Sequence, residues 1–140
     1  GQELPFAGHP TLGTAFVLQQ DVIRQPVEQV NLNLKVGQIP VTILYQNQQP
    51  DVLWMRQNPP EFGMTLTRDG VAEVLNLDRD DIDPRFPIQE VSTGVPFVLV
   101  PLKTLAALQR IKVNVDRLFA LVAPLQAKMI FVFCPETRNP

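Results

Sequence analysis

The chain has 140 residues, of which 45% are hydrophobic and 19% are charged, and its formal net charge is −2. This composition is that of a globular protein and excludes an intrinsically disordered chain. Because lysine and arginine form no cluster, neither nucleic acid nor an anionic membrane surface is expected as a partner.

The location of the protein is predicted from features that the chain lacks. The longest apolar runs are far shorter than the roughly 20 residues that cross a bilayer, and no charged segment followed by an apolar one opens the chain. Cys134 is the single cysteine, so neither an internal disulfide nor a cysteine-based zinc site is expected. We therefore predict a cytoplasmic protein.

The first predicted element is a helix over Thr11–Gln19. Pro10 suits the first turn, because its missing N–H group is not needed there. The residues that follow are apolar on nearly every side, which is typical of a buried helix. We expect this helix to be packed inside a sheet formed by residues 29–56, with Leu12 and Phe16 almost fully buried.

A hairpin and a third strand are predicted next. Apolar and polar residues alternate over 30–36 and again over 39–45, which is the period of half-buried strands. Gly37-Gln38 suits the two-residue turn between them. Residues 51–56 form the third strand, in which we expect Trp54 and Met55 to be core residues.

Pro59-Pro60 cannot continue a strand ladder, and the order of elements changes after it. We therefore place a boundary near residue 60 and predict two domains, 1–60 and 61–140. The predicted elements of the second are a helix capped by Thr67 or Asp69 with Val71, Val74 and Leu75 facing inward, strands at 87–91 and 96–101, helices at 104–111 and 115–125, and a buried strand at 129–134.

Four aspartates lie in the segment 78–83, between the predicted helix and strand. They lack the glycine and the closing glutamate of an EF-hand loop, so we interpret the segment as a solvated turn with capping aspartates. Cys134 has no histidine near it in sequence and is interpreted as inert packing.

His9 is the only histidine, and it lies between Gly8 and Pro10 at the start of the predicted helix. A helix N-terminus presents unpaired N–H groups and a partial positive charge, which favour a carboxylate or phosphate. Gly8 would let such a ligand approach the backbone, and His9 would add a hydrogen bond. Alternatively, His9 caps the helix or is satisfied within the core, and residue chemistry alone leaves both interpretations open.

Three stretches resemble signature sequences of the PhzF-like family, which is named for a phenazine-biosynthesis isomerase. The longest is residues 3–15, ELPFAGHPTLGTA. Residues 54–63, WMRQNPPEFG, resemble the crossover between the two lobes of the family, and residues 92–97, STGVPF, resemble a loop and strand of the second lobe. The resemblance covers nearly the whole chain.

The resemblance implies an α+β fold of the diaminopimelate-epimerase-like kind. In that fold each of two lobes is a β-barrel-like sheet around one buried central helix, and the active site lies between the lobes. Residues 1–60 then correspond to the C-terminal part of the first lobe, and residues 61–140 to the N-terminal part of the second. The fold is expected to be truncated at both ends.

The resemblance also implies a function. Members are cofactor-independent isomerases or epimerases that move a proton α to the carboxylate of a small organic acid, and they commonly form homodimers. Gly8 and His9 match the substrate-binding Gly-His pair, and His9 is also expected to be catalytic. Thr11, Thr93 and Gly94 are the other expected substrate-binding residues.

The residues that transfer the proton in the family are not among these 140. The resemblance places a catalytic glutamate upstream of the Gly-His pair, and a second acid downstream of the last residues. Proton transfer needs both a base and an acid. We therefore expect the chain alone to be inactive, with unpaired sheet edges and uncovered apolar surface. The alternative is a non-catalytic protein of the same fold that binds a small carboxylate or a partner.

Overall fold

The computed structural model describes residues 4–138, which form two compact units. The first unit comprises the chain up to Pro59 together with Thr93–Val95, and the second comprises Pro60–Ser92 and the chain from Pro96 onward. Glu3 of the first signature lies outside the described residues, as do the outer ends of both predicted domains.

The first unit consists of one helical segment and one antiparallel sheet. Helix α1 spans Gly8–Val17 and runs into a π-helical turn at Leu18–Ile23. The sheet has the order β1-β2-β3, with β1 at Gln29–Leu34, β2 at Gly37–Gln46 and β3 at Gln49–Met55. Pro10 lies in the first turn of α1, as predicted.

Helix α1 packs on this sheet with one face only. The buried residues of the shared core are Ala15, Val30, Val41 and Ile43. Leu12 is half-buried, and Phe16 is 42% exposed, so the prediction that both are almost fully buried is wrong. The physical reason is that three strands make an open sheet, which covers one side of a helix and does not enclose it. No closed barrel occurs among residues 4–138.

Two details of the hairpin also differ from the prediction. Leu34 pairs with Gly37, so the turn is Lys35-Val36 and Gly37, at φ +113°, begins β2. Trp54 is 65% exposed and is not a core residue, whereas Met55 packs against the core. Because adjacent residues of a strand face opposite sides, only one of this pair can reach α1.

Within the described residues, the second unit is a four-stranded sheet with three α-helices. Its elements are β4 at Glu61–Leu66, α2 at Arg68–Leu75, β5 at Ile88–Ser92, β6 at Pro96–Pro101, α3 at Leu105–Arg110, α4 at Val115–Val122 and β7 at Ile130–Phe133. The order is β4-β5-β6-β7, antiparallel except for the parallel pair β6 and β7. Strand β4 was not predicted, because its residues are mostly exposed and leave no alternating pattern.

Helix α2 agrees with its prediction. The hydroxyl of Thr67 accepts a hydrogen bond from the N–H of Gly70 at 3.3 Å, which caps the helix. Val71, Val74 and Leu75 are at most 2% exposed and pack in the core of the unit.

Strand β7 was predicted to be buried, and the prediction is wrong for one of its two faces. Ile130 and Val132 pack against the core, while Phe131 and Phe133 are 54% and 39% exposed. The core side of the sheet is covered by helices, and β7 is an edge strand whose other side faces outward. Cys134, which follows it, packs beside the core as expected.

The aspartate segment is a turn, but it is not wholly solvated. The N–H of Asp78 donates to Asp81 Oδ2 at 3.1 Å around a short 3₁₀ turn. Asp83, by contrast, is buried and accepts two hydrogen bonds from the guanidinium of Arg85, at 3.0 and 2.7 Å. Within residues 4–138, no group of acidic, histidine or cysteine side chains is placed to hold a metal ion, and no helix is long and apolar enough to cross a membrane.

Candidate functional site

The N-terminal turn of α1 carries the predicted Gly-His pair. Ala7 precedes the helix in an extended conformation, with φ −151° and ψ 121°, and no side chain of residues 4–138 caps the turn. Pro10 has no N–H group, and the N–H of Thr11 donates to the carbonyl of Ala7 at 3.2 Å. The amides of Gly8 and His9 therefore remain at the positive end of the helix, where an anion is favoured.

His9 is exposed, and within the described residues its side chain makes no hydrogen bond or ion pair. The structural interpretation of His9, as a helix cap or as a histidine satisfied in the core, is not observed among the described residues. The imidazole is accessible to a ligand at the same helix end.

Gly8 has no structural need to be a glycine in the first unit. A Cβ atom there would lie 3.7 Å from the terminal methyl of Met55, which is an ordinary contact, and its φ is not positive. The missing side chain instead leaves the start of the helix open. This is what close approach of a ligand to the backbone requires.

Thr11 holds the turn in place. It is 4% exposed, and its hydroxyl donates to the carbonyl of Ala7 at 2.6 Å, so the hydroxyl proton is already used. The observed contact is structural, and the predicted contact of Thr11 with substrate stays a prediction.

A cavity of about 290 Å³ lies between α1 and β1, beside the Gly-His pair. Its walls include Thr11 and Thr14 of the helix and Asn33 and Lys35 at the end of the strand, but neither Gly8 nor His9. Lys35 is the charged residue among those walls. Sequence reasoning missed it, because a lysine on an alternating strand looks like any solvent-facing residue.

Gly94 lies against Phe6, which precedes α1, and against Val36 in the turn between β1 and β2. It has φ +144°, and a Cβ atom there would lie 2.7 Å from Cβ of Phe6 and 3.2 Å from Val36. Glycine is therefore required at this position by packing and by conformation. Thr93 is half-buried, and the structure shows no hydrogen bond from it to Gly8 or His9 among the described residues. Contacts of Thr93 and Gly94 with substrate remain predictions.

Solved structures of the PhzF kind resemble this α+β chain over nearly its whole length. A phenazine biosynthesis protein of the PhzF family from Bacillus anthracis superposes with a TM-score of 0.78 at 28% identity, over 99% of this chain and 47% of its own. A predicted epimerase from Pseudomonas aeruginosa superposes with a TM-score of 0.79 at 29% identity, over 94% of this chain and 46% of its own.

The phenazine biosynthesis-like protein family matches residues 1–139, and the chain belongs to it. Among curated relatives, an uncharacterized isomerase of Clostridium acetobutylicum is 26% identical over 98% of this chain and 46% of its own length. An uncharacterized isomerase of Bacillus subtilis is 24% identical over 100% and 48%. The chain thus spans about half the length of the curated relatives that it matches.

Proposed function

We propose that this chain is part of a cofactor-independent isomerase or epimerase that moves a proton α to the carboxylate of a small organic acid. Family membership and relatives named isomerases support the class of reaction. The observation that carries the proposal is the uncapped start of α1, where Gly8 leaves the backbone open and His9 is exposed.

In this proposal the amide N–H groups of Gly8 and His9 bind the substrate carboxylate. When a base removes the α-proton, negative charge moves from the α-carbon onto the carboxylate oxygens. Donors fixed at the helix end stabilise this charge, and the imidazole of His9 adds a further hydrogen bond. The base and the acid are contributed by residues outside these 140, so the chain binds and orients substrate and the rest of the enzyme transfers the proton. A cytoplasmic homodimer is part of the same proposal.

The test is exchange of the α-proton in D₂O. Protein that includes this chain and its flanking sequence is incubated with a panel of 2-hydroxy- and 2-amino-carboxylic acids, with EDTA present, and the α-proton signal is followed by NMR. We expect at least one acid to lose its signal in the presence of the chelator. His9→Asn should slow the loss by about tenfold to a thousandfold, and Lys112→Gln, an exposed change in the second unit, should not alter it.

Absence of exchange from every acid, together with saturable binding of one of them, would establish the carboxylate-binding alternative instead. Exchange that is unchanged in His9→Asn would remove His9 from the site.

A further inference from the structure

The place of the helix start on the sheet is not fixed by hydrogen bonds of its own turn. Thr11 bonds to the carbonyl of Ala7 within that turn, which sets the shape of the turn but not its position on the strands. On the side of β1, the cavity of about 290 Å³ separates the helix start from the strand, and its walls include Ala7 and Pro10. Helix α1 also packs on β3, so the position of its start depends on what β3 provides.

Met55 is the last residue of β3 and pairs with Val41 of the central strand. Its side chain packs against the core that α1 shares with the sheet. Its terminal methyl lies 3.7 Å from the position that a Cβ atom of Gly8 would take. Apart from the backbone of α1 and the residues next to Gly8, no other atom of the described residues lies within 4 Å of that position. Met55 is therefore the residue of the sheet that reaches Gly8.

We propose that Met55 is a positioning residue, which holds the backbone amides of Gly8 and His9 in the place where they bind the substrate carboxylate. This inference rests on the proposed function and adds a residue to it. Methionine suits the task because its unbranched side chain can reach the helix start while its stem remains in the core. Hydrogen-bond donors bind more tightly when their position is fixed beforehand, since less ordering is then required on binding.

The test is a titration of the ¹⁵N-labelled chain with benzoate, followed at the backbone amides of Gly8 and His9. Met55→Ala removes the support, so we expect benzoate to bind about tenfold more weakly. Met55→Leu restores an apolar side chain of similar volume and should recover most of the affinity. If Met55→Ala does not fold, Met55→Val is used instead, because it keeps a strand-favouring side chain but lacks the terminal methyl.

Leu53→Ala is the matched control. Leu53 lies two residues before Met55 on the same face of β3, is half-buried like Met55 and packs against the same core, but it does not reach Gly8. Both alanine variants should lower the urea midpoint of unfolding, and only Met55→Ala should weaken benzoate binding.

An equal loss of affinity in both alanine variants, or no loss in Met55→Ala, would overturn the role of Met55 and leave the proposed function standing. If the parent chain did not bind benzoate at Gly8 and His9, the carboxylate site itself would be wrong, and the role of Met55 would fall with it.

Discussion

Gly94 illustrates how a single residue can be fixed by two constraints at once. Its φ of +144° is rarely adopted by residues with a side chain, and a Cβ atom would lie 2.7 Å from Phe6. We expect Gly94→Ala to lower the free energy of unfolding by about 2–4 kcal/mol, because both backbone strain and overlap would be introduced. Denaturation in urea, followed by circular dichroism, measures this change.

Gly13 provides the matched control within α1. No atom lies within 4 Å of the position that its Cβ would take, and its φ is helical, so Gly13→Ala should raise stability by about 0.5–1 kcal/mol. If Gly94→Ala were as stable as the parent chain, Gly94 could not be packed against Phe6 as described.

Asp83 makes the stability of the second unit depend on pH in the acid range. Hydrogen bonds from the side chain and then the backbone N–H of Arg85 lower the pKa of Asp83 from 3.8 to about 2. A carboxylate with a lowered pKa stabilises the fold fully above its unfolded pKa, and this contribution is lost as the pH falls from about 4 toward 2. Asp83→Asn should therefore be less stable than the parent at pH 6, and the difference should shrink toward pH 2.

Asp80→Asn is the control for this titration, because Asp80 is exposed and has no partner among the described residues. Urea midpoints measured at several pH values test the pair. A constant difference between Asp83→Asn and the parent from pH 6 to pH 2 would contradict the proposed ion pair.

Helix α1 shows what an apolar sequence does and does not determine. The run of apolar residues predicts a helix correctly, but it does not say which face is covered. Ala15 is fully buried on the sheet, whereas Phe16 is 42% exposed. Ala15→Leu should therefore cost about 1–3 kcal/mol by overpacking, and Phe16→Ala, which removes a partly exposed ring, should cost only about 1 kcal/mol. A loss of several kcal/mol for Phe16→Ala in urea denaturation would mean that Phe16 is buried after all.

Most other elements could be predicted because their signals are local. Thr67 and Thr104 cap helices that begin where their side chains accept an N–H bond, and strand β6 has the predicted limits. Strand β4 and the turn at Lys35-Val36 could not be predicted. Strand β4 is set by pairing with β5, which lies more distantly along the chain, and the turn is set by the register of β1 on β2; neither leaves a trace in local periodicity.

The sheet of the second unit has an apolar outward face that the sequence did not predict. Phe131 and Phe133 of β7 are exposed on it, with ring centroids 6.3 Å apart, and Phe62 of β4 is also exposed. Exposed apolar surface on an edge strand promotes association. We expect the double variant Phe131→Ser/Phe133→Ser to bind less of the dye ANS and to remain monomeric at higher concentration, as measured by light scattering.

Val132→Ser is the contrasting change on the inward face of the same strand, where it should destabilise the unit without reducing dye binding. If the double variant bound as much dye as the parent chain, the aromatic pair would not be the apolar surface that the dye detects.

For the molecule as a whole, the signature stretch at residues 3–15 predicted the family, whereas composition predicted only a globular protein. The stretch that contains Gly8 and His9 led to the family, which residues 1–139 match. Lys35 and Met55 could not be found in this way, because their significance depends on a cavity wall and on the approach of Met55 to Gly8, which only three-dimensional packing reveals. The roles of Thr93 and Gly94 in binding remain predictions.

The central claim for this chain is that the start of α1 binds a carboxylate. The most direct test is a ¹⁵N NMR titration of the chain with benzoate, with benzamide as an uncharged ligand of nearly the same shape. We predict saturable shifts of the backbone amides of Gly8 and His9 with benzoate, little response to benzamide, and weaker binding in His9→Asn. Equal shifts with both ligands, or no shift at either amide, would contradict the claim.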